Sequence, residues 1–159
     1  MEEAVVFTVY NLFKFLHIVA VILWVGGVFT VGILNARIAR TSERSAMAAL
    51  GQQSAVFVRT LIGPAAGTAL VAGLVMIVDG GIEFTTLWVL WGLIALVLSM
   101  FLGSGPIRRA GEELAHRSSI PESDGARVAA LRNRLRSLNA VNLVIIFSAV
   151  WAMVFKPTL

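Results

Sequence analysis

The sequence predicts an all-α integral membrane protein, an antiparallel bundle of four transmembrane helices. Of its 159 residues, 58% are hydrophobic and only 14% are charged, a balance that a soluble domain of this size cannot bury in one core. The apolar residues also fall into four long runs. Each run has roughly the 20 residues that a helix needs to cross the hydrocarbon of a bilayer.

These runs are the predicted spans of a single domain, residues 1–159. In chain order they are residues 15–34, 55–78, 87–103 and 138–155. The first is apolar except for His17, and the second holds Arg59 near its start and a GPAAG run from Gly63 to Gly67. Small residues at this spacing predict close helix packing. The third span is followed by Pro106, which is typical of a helix that bends or ends.

Three connections join the spans. Residues 35–54 and 105–137 carry cap residues and oppositely charged pairs at helical spacing, so both are predicted to be mostly helical. The link at 79–86 is short and acidic. A connection of this length predicts that the second and third spans are antiparallel neighbours.

The distribution of Lys and Arg predicts the orientation. The connections 35–54 and 105–137 hold ten of the 13 Lys and Arg residues. Because positively charged connections stay in the cytoplasm, both termini and the 79–86 link are predicted to lie outside. The expected location is a cytoplasmic (inner) membrane of the bacterial type, crossed several times.

Composition also limits the chemistry and the partners. The pI of about 10.7 comes mainly from arginines beside apolar runs, which predicts contact with anionic lipid and no binding of nucleic acid. No cysteine is present, so disulfides and thiolate metal sites are excluded. No nucleophile, base and orienting group are expected at one depth, which favours a protein that is not an enzyme.

His17 is the main candidate for a functional residue inside the membrane. It falls on one helical stripe with Trp24 and Asn35, and this stripe is too polar to face lipid. An imidazole there can donate one hydrogen bond to a carbonyl and use its other nitrogen as a metal ligand. Met153 lies at a similar depth, and imidazole with thioether suits Cu(I) or a His/Met haem iron. The alternatives are a structural histidine and a methionine that fills the core.

A second group of polar residues is predicted near the cytoplasmic side, where Asn35, Arg59, Asn139 and Asn142 lie at a similar depth. Arg59 could extend to lipid phosphate. In the competing interpretation it closes a buried polar network with the three asparagines, or holds a carboxylate such as a haem propionate.

The first span also carries a family resemblance. Leu16 and His17, followed by Trp24, Gly26 and Gly27, resemble the first-span signature of copper-resistance D type proteins and related small four-helix membrane proteins. The pattern is similar, more distantly, to the bacterial membrane protoporphyrinogen oxidase family, a group thought to share ancestry with cytochrome b561-like bundles. The resemblance implies that His17 coordinates haem or copper and that Trp24 and Gly27 pack against neighbouring helices. The basic, tyrosine-rich continuation and the second intramembrane histidine of the oxidase pattern are absent.

Three functional hypotheses follow. The first is a membrane protein that binds haem b or copper through His17, completed by Met153 or a second subunit, with a role in copper handling or electron transfer. The second is a cofactor-free interaction or assembly module with a structural His17. The third is an enzyme that uses a bound quinone or porphyrin. The many glycines also predict self-association into a homo-oligomer.

Overall fold

The structure is a computed structural model, and it describes residues 8–38, 52–120 and 125–157. Within these ranges the chain is all helical, with four helices long and apolar enough to cross a membrane and no strand. The predicted four-helix class is confirmed. The prediction that both termini lie outside is not tested by the structure and stays a prediction.

The four helices are longer than the spans predicted for them. Helix α1 is Val9–Ile38, α2 is Gln52–Asp79 and α4 is Gly125–Phe155. Helix α3 consists of two segments, Leu87–Leu102 and Arg108–Ser119, which are joined by one helical turn. The 31 residues of α4 span about 46 Å at 1.5 Å per residue, whereas the hydrocarbon core is about 30 Å thick. Part of α4 therefore extends beyond the membrane. Residues 39–51, in the first predicted connection, lie outside the described residues.

Two π-helical turns interrupt the regular helices, and both lie at a proline. Val58–Ile62 in α2 directly precedes Gly63 and Pro64, and Gly103–Ile107 in α3 contains Pro106. Proline has no N–H to donate to the carbonyl four residues earlier, and its ring crowds that carbonyl. A local π-turn accommodates both effects without ending the helix.

The helices form two closely packed antiparallel pairs, α1 with α2 and α3 with α4. The two pairs meet mainly where α1 contacts α4, and α2 contacts α3 only sparsely. The second and third spans are antiparallel as predicted, but each packs far more closely on its other neighbour. We call the end of the bundle where α1 begins and α4 ends the terminal end, and the opposite end the connection end.

The turn between α2 and α3 ends α2 by a Schellman motif. The N–H of Ile82 donates to the carbonyl of Ile77 at 2.9 Å, and the N–H of Gly81 donates to that of Val78 at 3.3 Å. Gly81 has φ +60°, the left-handed conformation that this motif requires and that glycine adopts without strain.

Alanines, and not the glycines of the GPAAG run, form the packed face of α2. Ala65, Ala69 and Ala72 recur at helical spacing and are buried. Gly63 is exposed, and a Cβ at Gly67 would meet no atom within 4 Å. Within the described bundle these two glycines therefore do not make the predicted close helix contact, because the stripe that faces α1 is offset from them around the helix.

Beyond the spans, α3 and α4 continue as a helical hairpin at the connection end. Its small core consists of Ala110, Leu114, Leu131 and Leu135. Glu113 accepts from Arg117 at 3.0 Å and lies 3.9 Å from Arg127. These pairs are partly exposed and each contributes less than about 1 kcal/mol. Residues 105–119 and 125–137 are helical as predicted, and contact of the hairpin arginines with anionic lipid stays a prediction.

Candidate functional site

A small cavity lies inside the bundle towards its terminal end. Its volume is about 20 Å³, enough for about one water molecule or one ion. All four helices line it. The lining residues are His17, Val21, Trp24, Ala69, Gly92, Leu96, Ile146, Ala149, Val150 and Met153. The structure thus brings together three of the predicted site residues, His17, Trp24 and Met153.

His17 is half-buried and its ring faces α2. Its Nδ1 lies 2.8 Å from the carbonyl oxygen of Ala69. Because a carbonyl only accepts, the bonded Nδ1 carries the proton, and in the neutral ring Nε2 is then an acceptor. No other hydrogen bond to the ring is found among the described residues. One nitrogen is therefore fixed by the backbone of α2 and the other is left as a potential ligand.

Gly73 makes this approach of the imidazole possible. A Cβ at position 73 would lie 3.3 Å from both Cε1 and Nδ1 of His17, which is closer than ordinary van der Waals contact. The ring therefore fills the space that a side chain on α2 would need. The hydrogen bond and this close contact together fix the imidazole between α1 and α2.

Met153 enters the cavity from α4 and packs over another glycine. A Cβ at Gly92 would lie only 2.6 Å from the Met153 Cε. Gly92 is buried on α3, so its missing side chain sets the position of the thioether. Each of the two candidate ligands is thus positioned by a glycine on the partner helix of its own pair.

An apolar layer closes the cavity on the side of the connection end. Trp24 and Leu96 are each 7% exposed and Ile146 is 0% exposed, and all three belong to one hydrophobic core. Their side chains line the cavity on one side. The predicted packing of Trp24 inside the bundle is therefore confirmed.

The predicted polar network is not assembled as expected. Asn139 and Asn142 are buried on α4, whereas Arg59 is exposed on α2. The side chain of Asn35 lies outside the described residues. Arg59 therefore does not share the buried position of Asn139 and Asn142, and its exposure suits a side chain that extends to lipid headgroups. The helical turn of Val58–Ile62 instead buries Ile62.

Several residues of the site were missed from the sequence. Ala69 contributes only a backbone carbonyl, for which no sequence signal exists. Gly73 and Gly92 carried a weak signal as small residues within apolar runs, but their roles depend on which helices are neighbours. The described residues contain no group of three or more His, Asp or Glu side chains that could hold a metal ion.

Comparison with known proteins places the chain in a family. The family described as predicted integral membrane protein (DUF2269) matches residues 11–157. The chain belongs to this family. No curated protein and no solved structure matches the chain. The match supports a multi-pass membrane protein, in agreement with the four apolar helices, and the resemblance of the first span to copper-resistance D type proteins stays a prediction.

Proposed function

We propose that this protein binds a single Cu(I) ion between its two helix pairs, with His17 and Met153 as ligands. The observation that carries the proposal is that the side chains of His17 and Met153 line one cavity. Imidazole and thioether are ligands that copper accepts, and thioethers favour its reduced form. The first-span resemblance to copper-resistance D type proteins supports the same metal and a role in copper handling.

The second coordination sphere also supports a metal ligand. Metal-binding histidines usually donate their other ring N–H to a carbonyl or carboxylate, which fixes the tautomer and the ring orientation. The bond from His17 Nδ1 to Ala69 has this arrangement. The donor set contains no carboxylate, so hard cations such as Mg²⁺ and Ca²⁺ are poorly suited to it.

Cavity size favours an ion over haem. The space of about 20 Å³ compares with roughly 300–1,000 Å³ for pockets that hold organic ligands of ordinary size. Gly73 and Gly92 are already covered by the His17 ring and the Met153 methyl group. The packed interior therefore does not fit a porphyrin.

Titration of the purified protein in lipid nanodiscs with Cu(I), buffered by a competing chromogenic chelator, tests the proposal. We expect one equivalent to bind. Loss of a metal ligand should weaken binding by at least the roughly 10–100-fold that loss of an outer-shell partner costs, and by more in His17→Ala than in Met153→Leu. His116→Ala in the hairpin and the exposed Met100→Leu are matched controls that should bind like the native protein.

Stability measurements separate this proposal from a purely structural His17. In either case His17→Ala should lower the free energy of unfolding by about 1 kcal/mol through loss of the Ala69 hydrogen bond. Only a binding site predicts that Cu(I) stabilises the native protein, by about 2.7 kcal/mol at 100 times Kd, and does not stabilise His17→Ala. A native protein with no stabilisation by Cu(I) would support the cofactor-free module.

Gly92→Ala tests how Met153 is positioned. The added Cβ needs the space of the Met153 methyl group, and the flexible thioether can leave at little cost to stability. We expect Cu(I) affinity to fall by about 10-fold, as for loss of an outer-shell contact. Gly111→Ala on the same helix meets no atom within 4 Å and should leave affinity unchanged. Equal affinities for the two variants would contradict the assignment of Met153 as a ligand.

A further inference from the structure

The interior of the bundle becomes polar on the far side of the apolar layer. Ser99 and Asn142 are each 3% exposed, and Asn139 is 8% exposed. Asn139 and Asn142 are three residues apart and share one face of α4. Counted along the antiparallel helices from the contact of Gly92 with Met153, Ser99 of α3 lies at the level of Ile146, about one turn from Asn142. We call Asn139 and Asn142 the polar layer.

One oxygen of the polar layer has no partner. The Oδ1 of Asn142 is buried and makes no hydrogen bond to any described residue, and the same holds for the Oγ of buried Ser54 near the start of α2. Nearly all buried polar atoms in folded proteins are hydrogen-bonded. In a bilayer the requirement is stricter, because acyl chains offer no donor. The Asn142 oxygen therefore needs a donor that is not part of the described chain.

The direction from which this donor arrives follows from the packing. Towards the terminal end, Trp24, Leu96 and Ile146 form the apolar layer, and Ile146 is fully buried. Towards the connection end, Asn139 is the next inward-facing polar residue, one turn along α4. The polar side chains of α4 thus continue from Asn142 towards the hairpin, and on the other side of Asn142 the next buried side chain of α4 is that of Ile146.

We propose that water enters the bundle from the connection end and binds at the polar layer, with Asn142 Oδ1 as its acceptor. A water molecule supplies the missing donor and can satisfy a further hydrogen bond with Asn139. The apolar layer stops it there. The bundle is then hydrated from one end only, and a single layer of side chains separates this water from the cavity of His17.

This hydration does not depend on a bound metal. Asn142 and Met153 are separated by about 16 Å along α4, at 1.5 Å per residue. The polar layer and the cavity therefore involve different residues on opposite sides of the apolar layer. A failure to bind copper would not contradict the water site, and the absence of water at the polar layer would not contradict copper binding.

The absence of cysteine from the chain allows a direct test by hydrogen exchange. Single variants Asn142→Cys, Ile146→Cys and Val144→Cys each introduce one thiol, whose infrared S–H band shifts when water exchanges its proton for deuterium. Val144 is 69% exposed on the outer face of α4 and reports the lipid side. Each variant is placed in lipid nanodiscs and transferred to D₂O, and its helicity is checked by circular dichroism.

We expect the thiol at position 142 to exchange at least about 10-fold faster than those at 144 and 146, because only water in contact with the group supports rapid exchange. Asn139→Cys, one turn nearer the connection end, keeps the Asn142 oxygen and should exchange as fast or faster, so it tests the entry of water with the acceptor in place. Exchange at 139 that is as slow as at 146 would overturn the proposal.

Discussion

Ile146→Ala is expected to lower the free energy of unfolding by about 2–5 kcal/mol, the range for truncating a fully buried aliphatic side chain. Ile146 is 0% exposed and packs in the core with Trp24 and Leu96. Inside a membrane this loss is mainly a loss of van der Waals contact, because lipid is as apolar as the core. Unfolding by sodium dodecyl sulfate in mixed micelles, followed by circular dichroism, measures the change.

The control for this prediction lies two residues earlier on the same helix. Val144 is 69% exposed to the surroundings of the bundle, so Val144→Ala removes methyl groups from a surface that lipid covers. We expect a change of less than about 0.5 kcal/mol. Similar losses for the two variants would mean that the inner face of α4 is assigned incorrectly.

Two adjacent glycines of α1 are expected to respond in opposite directions to the same substitution. A Cβ at Gly27 would lie 2.7 Å from Ile62 Cγ1 and 3.2 Å from its Cδ1, so Gly27→Ala forces α1 and α2 apart. Overpacking of this kind costs about 1–3 kcal/mol. A Cβ at Gly26 would meet no atom within 4 Å, and Gly26→Ala should stabilise the helix by up to about 1 kcal/mol.

The same unfolding titration measures both glycine variants. A second-site change checks the cause, since Ile62→Ala removes the two atoms that the new methyl group would meet. We expect Gly27→Ala to cost less in the Ile62→Ala background than in the native chain. Equal costs in both backgrounds would show that the contact with Ile62 is not responsible.

The sequence predicted the burial of some candidate side chains more sharply than that of others. An imidazole within an apolar span must face the interior, so the orientation of His17 and of Trp24 on the same stripe followed from helical periodicity. Arg59 also lies in a span, but it is near the end, where a long side chain can extend to the headgroups. The sequence allowed both positions for Arg59, and the structure places it on the outside.

The sequence by itself determined the number of spans, the helical class and the inward-facing stripe of α1, because the bilayer imposes length and backbone pairing on any chain that crosses it. Tertiary structure alone decided that α1 pairs with α2 and α3 with α4, and that Met153 and His17 line the same cavity. A span that is apolar on every face has no sequence pattern that shows which other span packs against it. The fit of the His17 ring over Gly73 and of Met153 over Gly92 depends on shape between helices, which hydropathy does not record.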